Sequence, residues 1–301
     1  MSYHSKAQYA GELVVWALAE GGRLTTSDVF SVRFWGVRGS IPCSDPGIPR
    51  YGGNTSCLEV RCGEHLIILD AGTGVRYLGQ ALDQSKPIDA DVFLTHTHFD
   101  HVCGIPFFGP FYNPNNTFRI WAGHLIPEMT IEQVLVDMMM APLFPVPLKI
   151  FAANISYHDF PAGETVDVKP GVSVRTAKLN HPNRATGYRV DYKGKSFCYL
   201  TDTEHVHDQL DQNILELIEG ADCVAYDGMY TDDEYPNRMG WGHSTWQEGV
   251  RLCDAANVET FVLFHHNPDH DDDFLDDIGK QLEARRPGSV MAREGLVIDL
   301  L

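Results

Sequence analysis

The sequence predicts an α/β protein in which mixed β-sheets stack on one another with helices packed outside, and three observations predict it. Short apolar runs of strand length recur between residues 30 and 264. Segments with helical spacing and caps are interleaved among them. The two halves of the chain repeat this plan, and elements alternating in this way bury their apolar faces as sheets beneath helical layers.

Residues 30–35 alternate apolar and polar side chains, as a half-buried strand does. Gly36, Gly39, Pro42, Pro46, Gly47 and Pro49 then mark a long loop, and Gly52-Gly53-Asn54 leads into strands 57–61 and 65–69, paired as a hairpin. Residues 90–94 form a buried strand that stops at Thr95. The histidine-rich run that follows therefore sits on a loop at a strand's C-terminal end, where α/β proteins place their sites. Thr130-Ile131-Glu132-Gln133 is a capping box, and Ile131, Val134, Leu135, Met138 and Met139 continue at helical spacing. That Met-containing stripe reads as packing. Pro142, Pro145 and Pro147 end the helix and begin a stretch suited to walling a cleft. The second half carries strands 172–179, 188–192, 197–201, 223–226 and 261–264. Its helices span 209–219, a segment capped at Ser244-Thr245-Trp246-Gln247, and 274–286, with Asp at the start and Arg at the end.

The chain has 301 residues, 44% hydrophobic and 21% charged, which is globular composition. Residues 29–301 are expected to be one domain, with residues 1–28 an appended helix or leader. The run 13–19 imitates a secretory cleavage region only faintly, because Glu12 precedes it and Lys6 alone supplies basic charge. No run approaches the ~20 apolar residues of a membrane span, so a cytoplasmic location is expected. Seven dispersed cysteines without a CxxC pair fit free thiols in a reducing compartment. A formal charge of −18, from 41 acidic and 23 basic residues, opposes long-range approach of a long nucleic acid, and no basic patch offsets it. The expected partner is a small anionic substrate. A homodimer is the macromolecular assembly left open.

His96, His98, Asp100 and His101 put three imidazoles and a carboxylate within six residues. Such groups crowd unfavourably unless a cation sits among them, and they are donors that zinc, manganese and iron accept. His96 and His98 on an extended loop face one way and can grip one ion, while Asp100 and His101, past the bend, reach a second. One loop cannot complete two coordination shells. His181, Asp202 and His265 each directly follow an apolar strand and are the candidates to close them.

The run Thr95-His96-Thr97-His98-Phe99-Asp100-His101, His181, the Thr201-Asp202-Thr203 triplet and Phe264-His265-His266 resemble the metallo-β-lactamase superfamily from Val29 onward. Gly242-His243-Ser244-Thr245 and Ala225-Tyr226-Asp227 resemble its RNase Z-like branch. Residues 34–40 and 51–57 are similar to its bacterial cyclic-nucleotide phosphodiesterase-like members. The resemblance implies an αββα four-layer sandwich and two divalent ions, zinc first, with manganese or iron as alternatives. It implies His96, His98 and His181 on one ion, Asp100, His101 and His265 on the other, and Asp202 bridging. Asp70 would orient a ligand loop, and the first histidine of the 265–266 pair matches better than His266. His205 and His207 read as ordinary polar residues.

The implied chemistry is phosphodiester hydrolysis by a hydroxide shared between the ions, with Asp100 orienting or deprotonating it. His243 would protonate the leaving oxygen, its ring held by Asp227. Few residues separate His181 from the next strand, so the long tRNA-binding arm of some members is absent, and a cyclic nucleotide is the expected substrate. Phe107, Phe108, Tyr112, Trp241 and Arg38 are candidate pocket walls. Competing readings are hydrolysis of another small ester, lactone or cyclic phosphate, RNA 3′-processing, a di-iron redox protein and an inactive binding module. His243 favours the phosphodiester, and the filled ligand set speaks against the last two.

Overall fold

The computed structural model describes residues 29–301; the expected 1–28 extension, including run 13–19, lies outside the described residues. Two seven-stranded sheets stack face to face. In the first, with order β14-β1-β2-β3-β4-β5-β6, the strands are β1 (Phe30–Gly36), β2 (Cys57–Cys62), β3 (His65–Leu69), β4 (Asp89–Leu94), β5 (Thr117–Ala122), β6 (Asn154–Asp159) and β14 (Val297–Asp299). The second has order β13-β12-β11-β10-β9-β8-β7, with β7 (Thr165–Lys169), β8 (Val172–Leu179), β9 (Ala185–Tyr192), β10 (Lys195–Leu200), β11 (Cys223–Asp227), β12 (Thr260–Phe264) and β13 (Val290–Met291).

Alternation along β1 sends Phe30, Val32 and Phe34 into the space between the sheets, where they join Leu58, Val174, Tyr188, Phe197 and Phe264. The outer face of the first sheet packs under α1 (Gly74–Ala81), the short α2 (Phe99–Val102) and α3 (Ile131–Met138). That of the second packs under α4 (Gln212–Ile218), α5 (Trp246–Ala255) and α6 (Asp272–Arg285). A central strand such as β12, covered on both faces, therefore reads as a continuous apolar run. The result is the expected αββα sandwich. No helix among the described residues is long and apolar enough to cross a membrane.

Caps behave as their side chains dictate. Thr130 Oγ1 accepts from Gln133 N, Thr245 Oγ1 from Glu248 N, and Asp271 Oδ1 from Phe274 N, so α6 starts earlier than the 274 expected. The cap of α5 is Thr245, which leaves Ser244 free for other partners.

Strand direction places the site. β3, β4 and β5 run parallel to one another, as do β10, β11 and β12. β9 is antiparallel to both β8 and β10, so β8 and β10 also point one way. The residues after β3, β4, β8, β10, β11 and β12 consequently emerge at one edge of the sandwich. There the loop after β1 crosses between the sheets, with Arg38 bridging to Thr55 on one side and to His266 on the other.

Candidate metal centre

Asp70, the 96–101 run, His181, Asp202, Asp227 and His265 all stand at that edge, and the structure brings the seven candidate ligands together. His96, His98 and His181 form one group of donor atoms within 4.8 Å of one another. Asp100, His101 and His265 form a second, and His96, His101 and Asp202 a third that connects them. Asp202 is central: its Oδ1 lies 3.1 Å from His265 Nε2 and 3.2 Å from His101 Nε2, and its Oδ2 lies 3.6 Å from His96 Nε2 and 3.7 Å from His181 Nε2. Asp70, Asp202 and His265 adopt left-handed backbone, at φ 59°, 58° and 62°. Non-glycine residues hold that conformation only where the surroundings enforce it, commonly at functional sites.

Three of the rings are oriented by their outer nitrogens. Thr95 Oγ1 meets His96 Nδ1 at 3.1 Å while donating to Asp70. His101 Nδ1 donates to Asp70 Oδ2 at 2.8 Å, and His181 Nδ1 donates to Gly242 O at 2.7 Å. Asp70 also accepts from Thr95 N and Tyr199 Oη, so one buried carboxylate organises the loop from below. With Nδ1 protonated, the Nε2 lone pairs of His96, His101 and His181 face the Asp202 carboxylate. His98 instead turns Nδ1 inward, 3.0 Å from His181 Nε2, and Nε2 towards Asn183.

The fit to divalent ions rests on what these atoms lack. His96 Nε2, His101 Nε2 and His265 Nε2 are buried and have no hydrogen-bond partner. Buried nitrogens left unpaired are costly, and convergence on carboxylates is what a dication requires. The electrostatics agree. Burial raises the Asp202 carboxyl, but His265, His101 and His96 outweigh it and hold it far below the usual range. Burial likewise opposes ionisation of Asp100, and His101 and His265 reverse the effect. Burial disfavours a charged His101, whereas Asp100, Asp202 and Asp70 push it well upward. Buried His96, beside His101, His181 and His98, is driven down. A carboxylate pair among imidazoles thus demands positive charge, and protons supply it wherever metals do not.

His243 stands at the rim of this cluster. Its Nδ1 is 3.0 Å from Asp227 Oδ2 and 3.9 Å from Asp202 Oδ2. Burial lowers its pKa, but Asp227 dominates and raises it to about 9. Asp227 also accepts from Thr203 N and Met229 N, which fixes its carboxylate.

Other expected residues fall elsewhere. Arg38 is not a pocket wall: it is fully buried and donates to the Gly52, Asn267 and His270 carbonyls, tying the loops behind the site. Phe108 is also no wall, because it packs in the core against Phe111 and Phe118. Phe107, Tyr112 and Trp241 are exposed, and Arg238 lies over the Trp241 ring. His266 turns away from the ligands to bond Ala292 O. His207 is exposed, but His205 is buried against Tyr235 and bonds Ser244 Oγ.

Three contributors carry weaker signals in sequence. Ser40 N donates to Asp100 Oδ2 at 2.9 Å, a backbone contact that no residue type betrays. Glu204 accepts from Gly240 N and Gly242 N. His124 stands two residues past β5 and bonds Thr97 Oγ1 at 3.1 Å. Its position after an apolar strand is a signal like that of His265, although β5 itself is interrupted by polar residues.

Residues 65–266 match the family model described as a beta-lactamase superfamily domain. A ribonuclease Z of Mycobacterium bovis is 26% identical over 251 residues, 75% of this chain and 83% of that protein. The metallo-beta-lactamase fold protein YhfI of Bacillus subtilis superposes with a TM-score of 0.69 at 19% identity, covering 90% of this chain and 99% of that one. A diphosphatase from the PhnP family superposes at 0.67 with 17% identity, covering 90% and 97%. The chain belongs to the beta-lactamase superfamily, as a hydrolase with the metallo-β-lactamase fold.

Proposed function

We propose that this hydrolase is a two-metal phosphodiesterase acting on a small anionic substrate, with cyclic nucleotides the leading class. The observation that carries the reading is the His243–Asp227 pair standing 3.9 Å from the Asp202 carboxylate. Cleavage of a phosphodiester expels an alkoxide, which needs a proton, whereas the leaving group of an activated ester departs without one.

His96, His98 and His181 would hold one ion and Asp100, His101 and His265 the other, with Asp202 shared between them. Two such dications supply Lewis acidity at a phosphoryl oxygen and lower the pKa of water between them. Zinc suits the imidazole-rich set, with manganese and iron the alternatives. Two dications against two carboxylates leave the pocket net positive, which attracts one phosphate even into a chain of charge −18. Asp100, fixed by Ser40 N, would orient the attacking water and accept its proton. His243 would give a proton from Nε2 to the leaving oxygen while Asp227 holds Nδ1–H.

Substrate size is argued from the rim. Only residues 180–184 connect β8 to β9, with Arg184 paired to Glu128, so no protruding arm is available there to grip tRNA. RNA 3′-processing is the second reading, supported by likeness to a ribonuclease Z over most of that protein's length. A panel of bis-p-nitrophenyl phosphate, 2′,3′- and 3′,5′-cyclic nucleotides and pre-tRNA, assayed with zinc-loaded protein, separates the two. Turnover of a cyclic nucleotide is expected, and turnover of pre-tRNA alone overturns the substrate assignment.

A further inference from the structure

We propose that Glu204 is a positioning residue of the metal centre: its carboxylate clamps loop 240–242, which in turn fixes the His181 ring and aims His243. The proposal rests on the metal-centre reading above.

Glu204 lies two residues beyond Asp202, and its main chain is tied to the residue before His181. Glu204 N donates to Asn180 O, and Asn180 Nδ2 donates to Glu204 O, both at 2.7 Å. Its side chain reaches in the other direction. Oε1 accepts from Gly240 N and Oε2 from Gly242 N, again at 2.7 Å each. Both glycines have positive φ, 87° and 85°. Backbone N–H groups two residues apart and turned to one point make an anion-binding concavity; here the chain's own carboxylate fills it.

The consequence is on the other side of the same residue. Gly242 O accepts from His181 Nδ1 at 2.7 Å, which keeps the proton on Nδ1 and leaves the Nε2 lone pair facing His98 Nδ1 and Asp202 Oδ2. The approach is tight, since a Cβ at Gly242 would stand 2.3 Å from His181 Nδ1. His243 is the next residue. One carboxylate therefore connects the ends of β8 and β10 with the loop that carries His243. A carboxylate that merely stiffened the loop would affect melting temperature and leave metal affinity unchanged.

The test compares wild type, Glu204→Gln and Glu204→Asp by zinc affinity in chelator competition, melting temperature of the metal-free protein, and kcat and KM on bis-p-nitrophenyl phosphate. Gln keeps one acceptor and turns an amide N–H2 against a peptide N–H, whereas Asp keeps both oxygens on a shorter arm. Glu204→Gln is expected to lose about 10- to 100-fold in affinity for one of two zincs and a similar factor in kcat, the range seen when a ligand's outer hydrogen-bond partner is removed. KM should stay within about twofold, the pattern of lost transition-state positioning. Glu204→Asp should recover part of both, and it carries the comparison if the Gln variant does not fold. Wild-type zinc affinity and kcat in Glu204→Gln overturn the proposal, as does a loss of affinity in Glu204→Asp matched by collapse of its metal-free melting temperature. A wild-type chain that takes up no zinc overturns the metal-centre reading and this proposal with it; two tightly bound zincs in both wild type and Glu204→Gln overturn this proposal alone.

Discussion

His243 Nδ1 donates to Asp227 Oδ2 at 3.0 Å, and Asp227 is itself held by the Thr203 and Met229 backbone N–H groups. A ring fixed in this way on one nitrogen can deliver a proton from the other. Replacing His243 by Ala should lower kcat about 10²- to 10⁴-fold on an alkoxide-releasing diester. The loss should shrink on bis-p-nitrophenyl phosphate, whose leaving group departs unprotonated. Kinetics across leaving groups of increasing pKa check this, and equal losses on all of them remove His243 as the acid.

Asp70 accepts from Thr95 N, Thr95 Oγ1, His101 Nδ1 and Tyr199 Oη in a fully buried position. Asp70→Ala leaves those donors unpaired, which should destabilise the fold by about 3–5 kcal/mol. Zinc stoichiometry should fall through loss of the ion that His101 serves. Denaturant titration and metal analysis on the same preparation measure the two effects.

Zinc uptake should release protons. Buried His101 is pushed well above its ordinary pKa by Asp100, Asp202 and Asp70, so at neutral pH it carries a proton that a metal must displace. Calorimetric titrations in buffers of different ionisation enthalpy should show release of about one proton or more. Titrations insensitive to buffer would contradict that origin of the charge. Bound zinc at about 1,000 times its Kd should add about 4 kcal/mol of stability, and a chelator should remove it together with activity.

A distant prediction tests the fold. Asp91 is fully buried, yet Arg119, Trp121 Nε1 and His65 surround its carboxylate and outweigh the burial that would raise its pKa, leaving it lowered. A lowered folded-state pKa means the contribution is complete above the unfolded value near ~3.9 and disappears as pH falls through the folded one. Asp91→Asn should therefore lose about 2–4 kcal/mol at pH 7 and show a shallower acid unfolding profile. A variant with the parent's stability at pH 7 would refute the role of the network.

Much of the candidate site was legible because its residues obey a local rule: His181, Asp202 and His265 each stand just past the C-terminal end of a strand, as Thr95 and the histidine run do. The sandwich was legible from the buried strands for the same reason. Strands β5, β6 and β7 were missed: β5 alternates as β1 does, but β6 and β7 hold no fully buried residue and offer few apolar side chains to mark the period. Helix α1 was hidden by its length of 8 residues and the absence of a side-chain cap. Arg38 misled because an arginine between glycines can line a phosphate pocket or satisfy buried carbonyls, and only tertiary contacts decide. Ser40 and Glu204 act through backbone N–H groups, which every residue but proline possesses.

In the proposed centre Asp202 joins two ions held by separate sets of ligands. Anomalous diffraction at the zinc edge from crystals of the zinc-loaded protein tests it most directly. Two peaks about 3.5–4 Å apart are expected, one among His96, His98 and His181, the other among Asp100, His101 and His265, with Asp202 touching both. A single peak at full loading, or zinc bound away from Asp202, would contradict it.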